Sequence, residues 1–197
     1  MYKYFFKRLF DFFISLVVLL CLSPLLLIIT IWLHFANKGA GVFFCQSRPG
    51  KNGKIFKIIK YKSMTDERDE HGNFLPDVQR LTSVGRFIRA TSIDELPQFI
   101  NVLMGDMSVV GPRPHMLKHT EEYAQVINKF MVRHFVKPGI TGWAQVTGYR
   151  GETKELWQME GRVSRDIWYI EHWTFMLDLY IIYKTVYNAI HGEKEAY

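Results

Sequence analysis

Residues 12–33, FFISLVVLLCLSPLLLIITIWL, form an uncharged stretch of 22 residues near the start of the chain. As a helix, this stretch is long enough to span the ~30 Å hydrocarbon core of a bilayer. A cleaved signal peptide fits poorly, because the stretch is too long and no A-x-A site follows it. The stretch therefore predicts a membrane helix that belongs to the folded protein.

The Ser23-Pro24 pair at the centre of this stretch predicts a break. Pro24 removes the hydrogen bond to the Leu20 carbonyl, and the Ser23 hydroxyl can bond back to an earlier carbonyl. Both ends of the stretch carry basic residues, which places both on the cytoplasmic side. These residues are Lys3, Lys7, Arg8, Lys38, Arg48, Lys51, Lys54 and Lys57. The pattern favours a re-entrant hairpin, while a proline-containing spanning helix remains the alternative.

At 197 residues the chain has room for one ordinary domain with its own core. Residues 1–64 contain ten Lys or Arg against one acid, a bias that suits an anionic membrane surface, a nucleotide or a phosphate. No nucleic-acid-binding signature is present, so we expect no nucleic acid partner. The i, i+4 pair of His115 and His119 lacks the HExxH acid and a third ligand, which disfavours zinc.

Residues 42–64 predict a small β-hairpin, with turn signals at Pro49-Gly50 and Asn52-Gly53. On its second strand, Lys60 and Lys62 share one face and would suit either a phosphate site or a solvated basic edge. Residues 81–90 predict a short helix carrying Arg86 and Arg89. Two arginines on one face suit phosphate recognition, and surface ion pairing is the ordinary alternative.

Residues 91–114, TSIDELPQFINVLMGDMSVVGPRP, hold two adjacent carboxylates before a rigid Gly-Pro-Arg-Pro turn. Ser92 followed by Glu95 fits a capping box, which predicts a helix that begins between these two residues. Pro97 belongs in or next to its first turn. Asp94 and Glu95 would then lie at the positive end of the helix dipole, which would keep both ionised. Capping alone would also explain them.

The rest of the chain predicts two further helical segments around a glycine-rich loop. Residues 115–135 fit one amphipathic helix, and residues 137–151 fit a structured loop with a short strand. The aromatic residues within 167–190 suit an amphipathic helix in the membrane interface, and a buried core helix would explain them too. Asp178 is an isolated acid that we expect to pair with Lys7 or Arg8.

Taken together, these motifs make the chain resemble the bacterial sugar transferases that act on polyprenol phosphate, the monotopic phosphoglycosyl transferases. The resemblance covers almost the whole chain and keeps the family order. It rests on the start KRLFD, the Ser23-Pro24 break, QSRPG, YKSM with DERD, SIDELPQ, NVLMGDMSVVGPRP, KPGITGWAQV and the terminal LDL. Many relatives carry a further N-terminal transmembrane region, so this chain resembles the small, core-only form.

The resemblance implies an α+β, mostly helical monotopic membrane protein with a re-entrant helix-break-helix at residues 1–38 and a catalytic domain at residues 39–197. It implies transfer of sugar 1-phosphate from a UDP-sugar to undecaprenyl phosphate, with UMP released, as the first membrane step of surface glycan synthesis. Asp94 would be the nucleophile that forms a covalent phosphosugar intermediate. Glu95 would help Asp94 to hold Mg²⁺. The hairpin would keep the site at the cytoplasmic face of the bacterial inner membrane.

Basic and polar residues near the acids are the expected phosphate- and nucleotide-binding groups. They are Arg48, Lys60, Lys62, Arg86, Arg89, Arg113 and Gln145. Many relatives have arginine in place of Lys62. Lysine keeps the charge but lacks the two-pronged guanidinium that can bind a phosphate through two hydrogen bonds. The GYRGET…RV segment (residues 148–163) resembles relatives that transfer glucose or galactose phosphate. A homo-oligomer and downstream glycosyltransferases are further candidate partners.

Two other functional classes fit parts of the sequence. A membrane-surface scaffold would use the acids only to cap helices, and replacing Asp94 would then change no activity. An ordinary glycosyltransferase would commonly carry a DxD metal motif, which is absent from the sequence, and would release UDP instead of UMP.

Overall fold

The computed structural model describes residues 2, 6–151, 153 and 155–192. Its helices are α1 (Lys7–Ala36), α2 (Asp77–Arg80), α3 (Ser83–Ala90), α4 (Gln98–Met104), α5 (Leu117–Val126), α6 (Trp143–Val146), α7 (Leu156–His172) and α8 (Phe175–His191). Its strands are β1 (Phe43–Pro49), β2 (Ile55–Tyr61), β3 (Ser108–Val110) and β4 (Gly139–Thr141). Short 3₁₀ turns lie at Lys51–Gly53, Ile93–Glu95 and Phe130–Phe135. Helices around two small sheets agree with the predicted α+β class.

Helix α1 is the 30-residue element that contains the apolar stretch, and by length and composition it could cross a membrane. It continues through Ser23 and Pro24, so the predicted division into two helices is not seen. The Ser23 hydroxyl donates to the Leu20 carbonyl at 2.7 Å, the acceptor that Pro24 leaves free. Side chains are buried only towards its ends, whereas Leu20 and Leu27 at its centre are more than 60% exposed.

The start of α1 is fixed to the rest of the protein by a buried polar cluster. Lys7 Nζ lies 3.0 Å from carboxylate oxygens of both Asp11 and Asp178. The expected pairing of Asp178 with this basic segment is therefore confirmed for Lys7. Arg8 instead donates to the backbone carbonyls of Val102 and Leu103 at the end of α4.

The hairpin β1–β2 has the predicted antiparallel pairing, with Gln46 opposite Ile58. Its second strand is joined to α4 by the buried side chain of Asn101. The Asn101 amide donates to the Lys57 carbonyl at 2.8 Å and accepts from the Ile59 N–H at 2.9 Å. This double contact supports the start of α4 against β2, and it brings Lys60 next to Glu95.

Strands β3 and β4 form a parallel pair next to the main core. A Cβ at Gly139 would lie 2.1 Å from the Gly111 nitrogen, so glycine is required for this approach. The pairing places the turn that contains Arg113 beside the short strand predicted within residues 137–151. The prediction of one helix over 115–135 is wrong, because Lys129 has a left-handed backbone between α5 and the following 3₁₀ turn.

Helices α7 and α8 replace the single aromatic helix expected from the sequence. They are separated at Trp173, and α8 begins after Thr174, whose hydroxyl caps the Leu177 N–H. Within α8, the buried residues are Asp178 and Ile181, while Tyr183 and Ile190 are 61% and 73% exposed. This exposure does not fit a buried core helix.

Candidate active site

The segment that carries the two acids is not the predicted helix start. Ser92 has a left-handed backbone with φ +57° and makes no capping hydrogen bond, and the next three residues form a 3₁₀ turn. Helix α4 starts only at Gln98, directly after Pro97, which occupies the position next to the first turn as expected. The capping box is wrong because the Ser92 hydroxyl is turned elsewhere: it accepts a hydrogen bond from Arg150 at 2.7 Å.

Glu95 is held by two cations. Its Oε1 accepts from Lys60 Nζ at 2.7 Å, and both Arg113 Nη atoms donate to the carboxylate, one of them at 2.9 Å to Oε2. Burial alone would raise the pKa of Glu95, but the Arg113 guanidinium and the Lys60 ammonium outweigh burial and hold that pKa well below its usual range. Glu95 is therefore a fixed anion at neutral pH.

Asp94 has a different environment, although it is the adjacent residue. Burial and the charge of Glu95 raise the pKa of Asp94 to about 6, while Lys60, Arg89 and Arg113 act in the opposite direction. The expected ionisation at neutral pH agrees with this pKa, but its expected cause is wrong, because α4 begins only at Gln98 and the pKa is raised instead of lowered. Within the described residues, no side chain donates a hydrogen bond to its carboxylate. Asp94 is therefore the acid available to react.

Both acids line an open cavity of about 1260 Å³. The lining is rich in cations, and Arg48, Lys60, Arg89 and Arg113 are among them. Two buried polar atoms of the lining, Arg48 Nε and Gln145 Oε1, have no hydrogen-bond partner. Unpartnered buried polar atoms are costly, so a ligand that supplies an acceptor and a donor would be favoured here.

The structure brings most, but not all, of the expected binding residues into this cavity. Arg89 reaches it from α3, and its Nε donates to the Ser63 hydroxyl at 2.8 Å. Lys62 also lines the cavity, but its ammonium is bound by Asp66 and by the Ala40 carbonyl at 2.8 Å. Arg86 is exposed on α3 and is not among the cavity-lining residues described.

Arg150 is a cavity residue that the sequence interpretation did not assign. It lies in the GYRG segment, far from Ser92 in the chain, and no sequence spacing predicts their contact. The sequence singles out His115 only as one half of an i, i+4 histidine pair, which it disfavours as a zinc site. The pair fails because α5 begins after His115, at Leu117, and His115 instead contacts two arginines.

The carboxylates can be tested for their fit to Mg²⁺. This ion is usually bound by one or two carboxylates together with substrate phosphates. Glu95 Oε1 already accepts two hydrogen bonds, but Oε2 accepts one and retains a lone pair. Asp94 and one oxygen of Glu95 therefore fit a magnesium site that substrate phosphates would complete. Among the described residues there is no cluster of three or more acids, cysteines or histidines that could hold a metal ion without a ligand.

By class, this is a membrane-associated protein whose cation-lined cleft suits a phosphorylated ligand. The model of the bacterial sugar transferase family matches residues 2–192, and the chain belongs to that family.

Three relatives show how widely the similarity extends. A UDP-glucose:undecaprenyl-phosphate glucose-1-phosphate transferase of Klebsiella pneumoniae is 48% identical over 93% of this chain and 40% of its own length. An uncharacterized sugar transferase of Bacillus subtilis, EpsL, is 46% identical over 95% of this chain and 88% of its own length. A UDP-N-acetylgalactosamine-undecaprenyl-phosphate N-acetylgalactosaminephosphotransferase of Aeromonas hydrophila is 38% identical over 95% of this chain and 44% of its own length. The chain thus spans less than half of the two relatives named for a substrate.

Proposed function

We propose that the protein transfers sugar 1-phosphate from a UDP-hexose to undecaprenyl phosphate, forming undecaprenyl-diphosphate-sugar and UMP. The observation that carries this proposal is the pair of unlike acids that line one cation-rich cavity. Asp94 has a pKa raised to about 6, whereas two cations hold the adjacent Glu95. Relatives named for this reaction with glucose and with N-acetylgalactosamine support it. The glucose relative is the more similar of the two, which favours a hexose.

Asp94 would act as the nucleophile. One carboxylate oxygen attacks the phosphorus that bears the sugar, the bond to the UMP oxygen breaks, and UMP leaves with the electron pair. The phosphate of the lipid then attacks the same phosphorus and releases the Asp94 carboxylate. A carboxylate is a weak nucleophile, so charge stabilisation of the phosphoryl oxygens must supply much of the acceleration. Arg89 and Arg113 are candidates for that task, because both line the cavity and both act electrostatically on Asp94.

Mg²⁺ would be held by Asp94 and the free lone pair of Glu95 Oε2. When bound, it would neutralise phosphate charge on the donor. The Glu95 contacts to Lys60 and Arg113 keep its carboxylate in one orientation for this role.

The two unpartnered atoms of the cavity suit different parts of the donor. The Arg48 guanidinium would donate to diphosphate oxygens through an Nε that has no acceptor in the structure. Gln145 Oε1 would accept from a hydroxyl or imide of the donor, since it is a buried acceptor without a donor.

The membrane part of the proposal is a re-entrant α1 with the cavity on the cytoplasmic side of the inner membrane. Near its start, Arg8 contacts the carbonyls that end α4, as described above. Near its other end, the Tyr61 hydroxyl donates to the Leu26 carbonyl at 2.9 Å, and Leu33 packs with Ile88 of α3. Because both ends contact the same folded body, an α1 that bends at Pro24 and so enters and leaves the bilayer on one side would fit better than a full span.

Intact mass of the purified protein would test this proposal directly. The protein would be incubated with Mg²⁺ and a panel of UDP-sugars in the absence of lipid. We expect a phosphosugar adduct and released UMP, and no adduct in Asp94→Asn. Absence of adduct with every donor, together with no UMP after undecaprenyl phosphate is added, would refute the transfer reaction. UDP in place of UMP would identify an ordinary glycosyltransferase.

A further inference from the structure

Beneath the cavity lies a buried polar cluster to which the proposed reaction assigns no role. It consists of Arg133, Asp166, His115 and Arg162, each at most 8% exposed. Arg133 Nη2 lies 2.5 Å from Asp166 Oδ2, and Arg133 Nη1 lies 2.5 Å from His115 Nδ1. Arg162 approaches the other nitrogen of the same imidazole at 3.2 Å.

The two arginines of this cluster also reach backbone carbonyls that border the cavity. Arg133 Nη2 donates to the Arg113 carbonyl at 2.9 Å. Arg162 Nη2 donates to the Gly151 carbonyl at 2.5 Å. The cluster thus contacts the backbone of two cavity segments that are about forty residues apart in the chain.

Each of those segments contacts one end of the short turn that carries the nucleophile. The Arg113 side chain binds Glu95, which follows Asp94 directly. The Arg150 side chain, one residue before Gly151, binds the hydroxyl of Ser92, which precedes Asp94 by two residues. The contacts therefore close a ring around Asp94, and the buried cluster is the part of the ring remote from the cavity.

The chemistry of His115 explains why the cluster needs its carboxylate. Burial, together with the charges of Arg133 and Arg162, lowers the pKa of His115 well below its usual value, so the ring is neutral and has one N–H. If Nδ1 accepts from Arg133, then Nε2 carries the proton and faces an N–H of Arg162. That second contact cannot be a hydrogen bond, so Asp166 is the group that compensates the two guanidiniums.

We infer that Arg133 and Asp166 are positioning residues for the transfer reaction, acting through the Arg113 carbonyl to fix the guanidinium that orients Glu95 beside Asp94. This inference rests on the proposed function. Neither residue itself lines the cavity, so their effect on turnover must pass through the residues they hold. The alternative is a purely structural ion pair, which would affect only the amount of folded protein.

An apolar replacement of the pair separates these two roles. Replacing a buried ion pair by hydrophobic residues of similar volume is often neutral or stabilising. We therefore expect Arg133→Met/Asp166→Leu in the full chain to fold, with a melting temperature below that of the wild type because the buried Arg162 loses the charge of Asp166. Its kcat should fall by about tenfold or more while the donor KM changes less than about threefold, because a displaced Arg113 loses transition-state contacts first.

Two further variants complete the test. Arg133→Lys keeps a charge for Asp166 but cannot bridge three acceptors, so it should show the same loss of kcat and serves if the double variant does not fold. Asp178→Asn removes another fully buried carboxylate and should keep the kcat per folded molecule. A folded double or Lys variant with wild-type kcat would overturn the positioning role. A wild-type protein that releases no UMP would instead refute the proposed function.

Discussion

The polar cluster around Asp178 and the cavity around Asp94 differ in how completely their aspartates are satisfied by hydrogen bonds. At the start of α1, Asp178 is fully buried and accepts from the hydroxyls of Tyr2 and Tyr169 and the indole N–H of Trp173, besides its ion pair with Lys7. In the cavity, Asp94 accepts no hydrogen bond from a described side chain. A carboxylate whose oxygens are occupied by hydrogen bonds and an ion pair stabilises the fold. A carboxylate in a cavity that accepts no side-chain hydrogen bond remains available for chemistry.

The largest effect is expected for Asp94→Asn, which removes the nucleophile and should reduce transfer by at least about 10³-fold. The same change should stabilise the protein at pH 7. Because the folded-state pKa of Asp94 is raised to about 6, its favourable contribution is present below the unfolded pKa and is lost as the pH rises through 6. We expect a gain on the order of 1–2 kcal/mol in the free energy of unfolding. Activity above one hundredth of the wild type would contradict the assignment.

Asp178→Asn is the matched change in the hydrogen-bonded cluster at the start of α1. It should lower stability and leave activity unchanged, the opposite of Asp94→Asn. Lys7 would lose one of two carboxylate partners in a buried site, which should lower the free energy of unfolding by about 3 kcal/mol. The kcat per folded molecule should be unchanged, as measured by UMP release normalised to the folded fraction. A large loss of kcat at full folding would show that the two clusters are not functionally separate.

The next test is how kcat/KM falls at low pH, which reports the protonation of Asp94. Only the ionised Asp94 can attack, so kcat/KM for the UDP-sugar should fall about tenfold per pH unit below a pKa of about 6. Glu95 should not add a second limb, because its pKa is held well below its usual range. Melting curves at each pH would separate titration from unfolding. A flat profile down to pH 5 would mean that Asp94 is not the reacting group.

Sequence reasoning predicted the satisfied cluster better than the reactive one. The sequence predicted a partner for Asp178 in Lys7 or Arg8, because an isolated acid in apolar surroundings needs one, and the structure selects Lys7. The hairpin likewise follows from its local turn signals. The capping box failed because the Ser92 hydroxyl is bound by Arg150, a contact between distant segments. Local patterns cannot encode such contacts, so Arg150 and the role of His115 were also missed.

Gln145→Leu tests whether the unpartnered acceptor of the cavity belongs to a ligand site. The change removes the unpartnered Oε1 but also the hydrogen bond that Nε2 donates to the Ile140 carbonyl at 3.2 Å, so the free energy of unfolding should fall by no more than about 1 kcal/mol. If the UDP-sugar satisfies this atom, its KM should rise by about tenfold, equivalent to about 1.4 kcal/mol of binding energy. Gln145→Glu keeps an acceptor of similar size and should recover part of the affinity. Loss of stability without a change in KM would assign Gln145 to the fold.

The smallest effect is expected at Lys62. For this residue the sequence leaves two roles open, phosphate binding and a solvated basic edge of the hairpin. Its ammonium is bound by Asp66 and the Ala40 carbonyl, so little of its charge is available to a ligand. Lys62→Ala should therefore change kcat and the donor KM by less than about threefold. Lys60→Ala is the matched change, because Lys60 lies two residues before Lys62 in the same segment. It removes a direct partner of Glu95. Steady-state kinetics of both variants should show a clearly larger defect for Lys60→Ala, since losing a half-buried ion-pair partner leaves Glu95 to Arg113 alone. Equal defects would mean that Lys62 leaves Asp66 and binds substrate phosphate instead. The contacts of a charged side chain in the free protein would then not predict whether it serves the fold or the substrate.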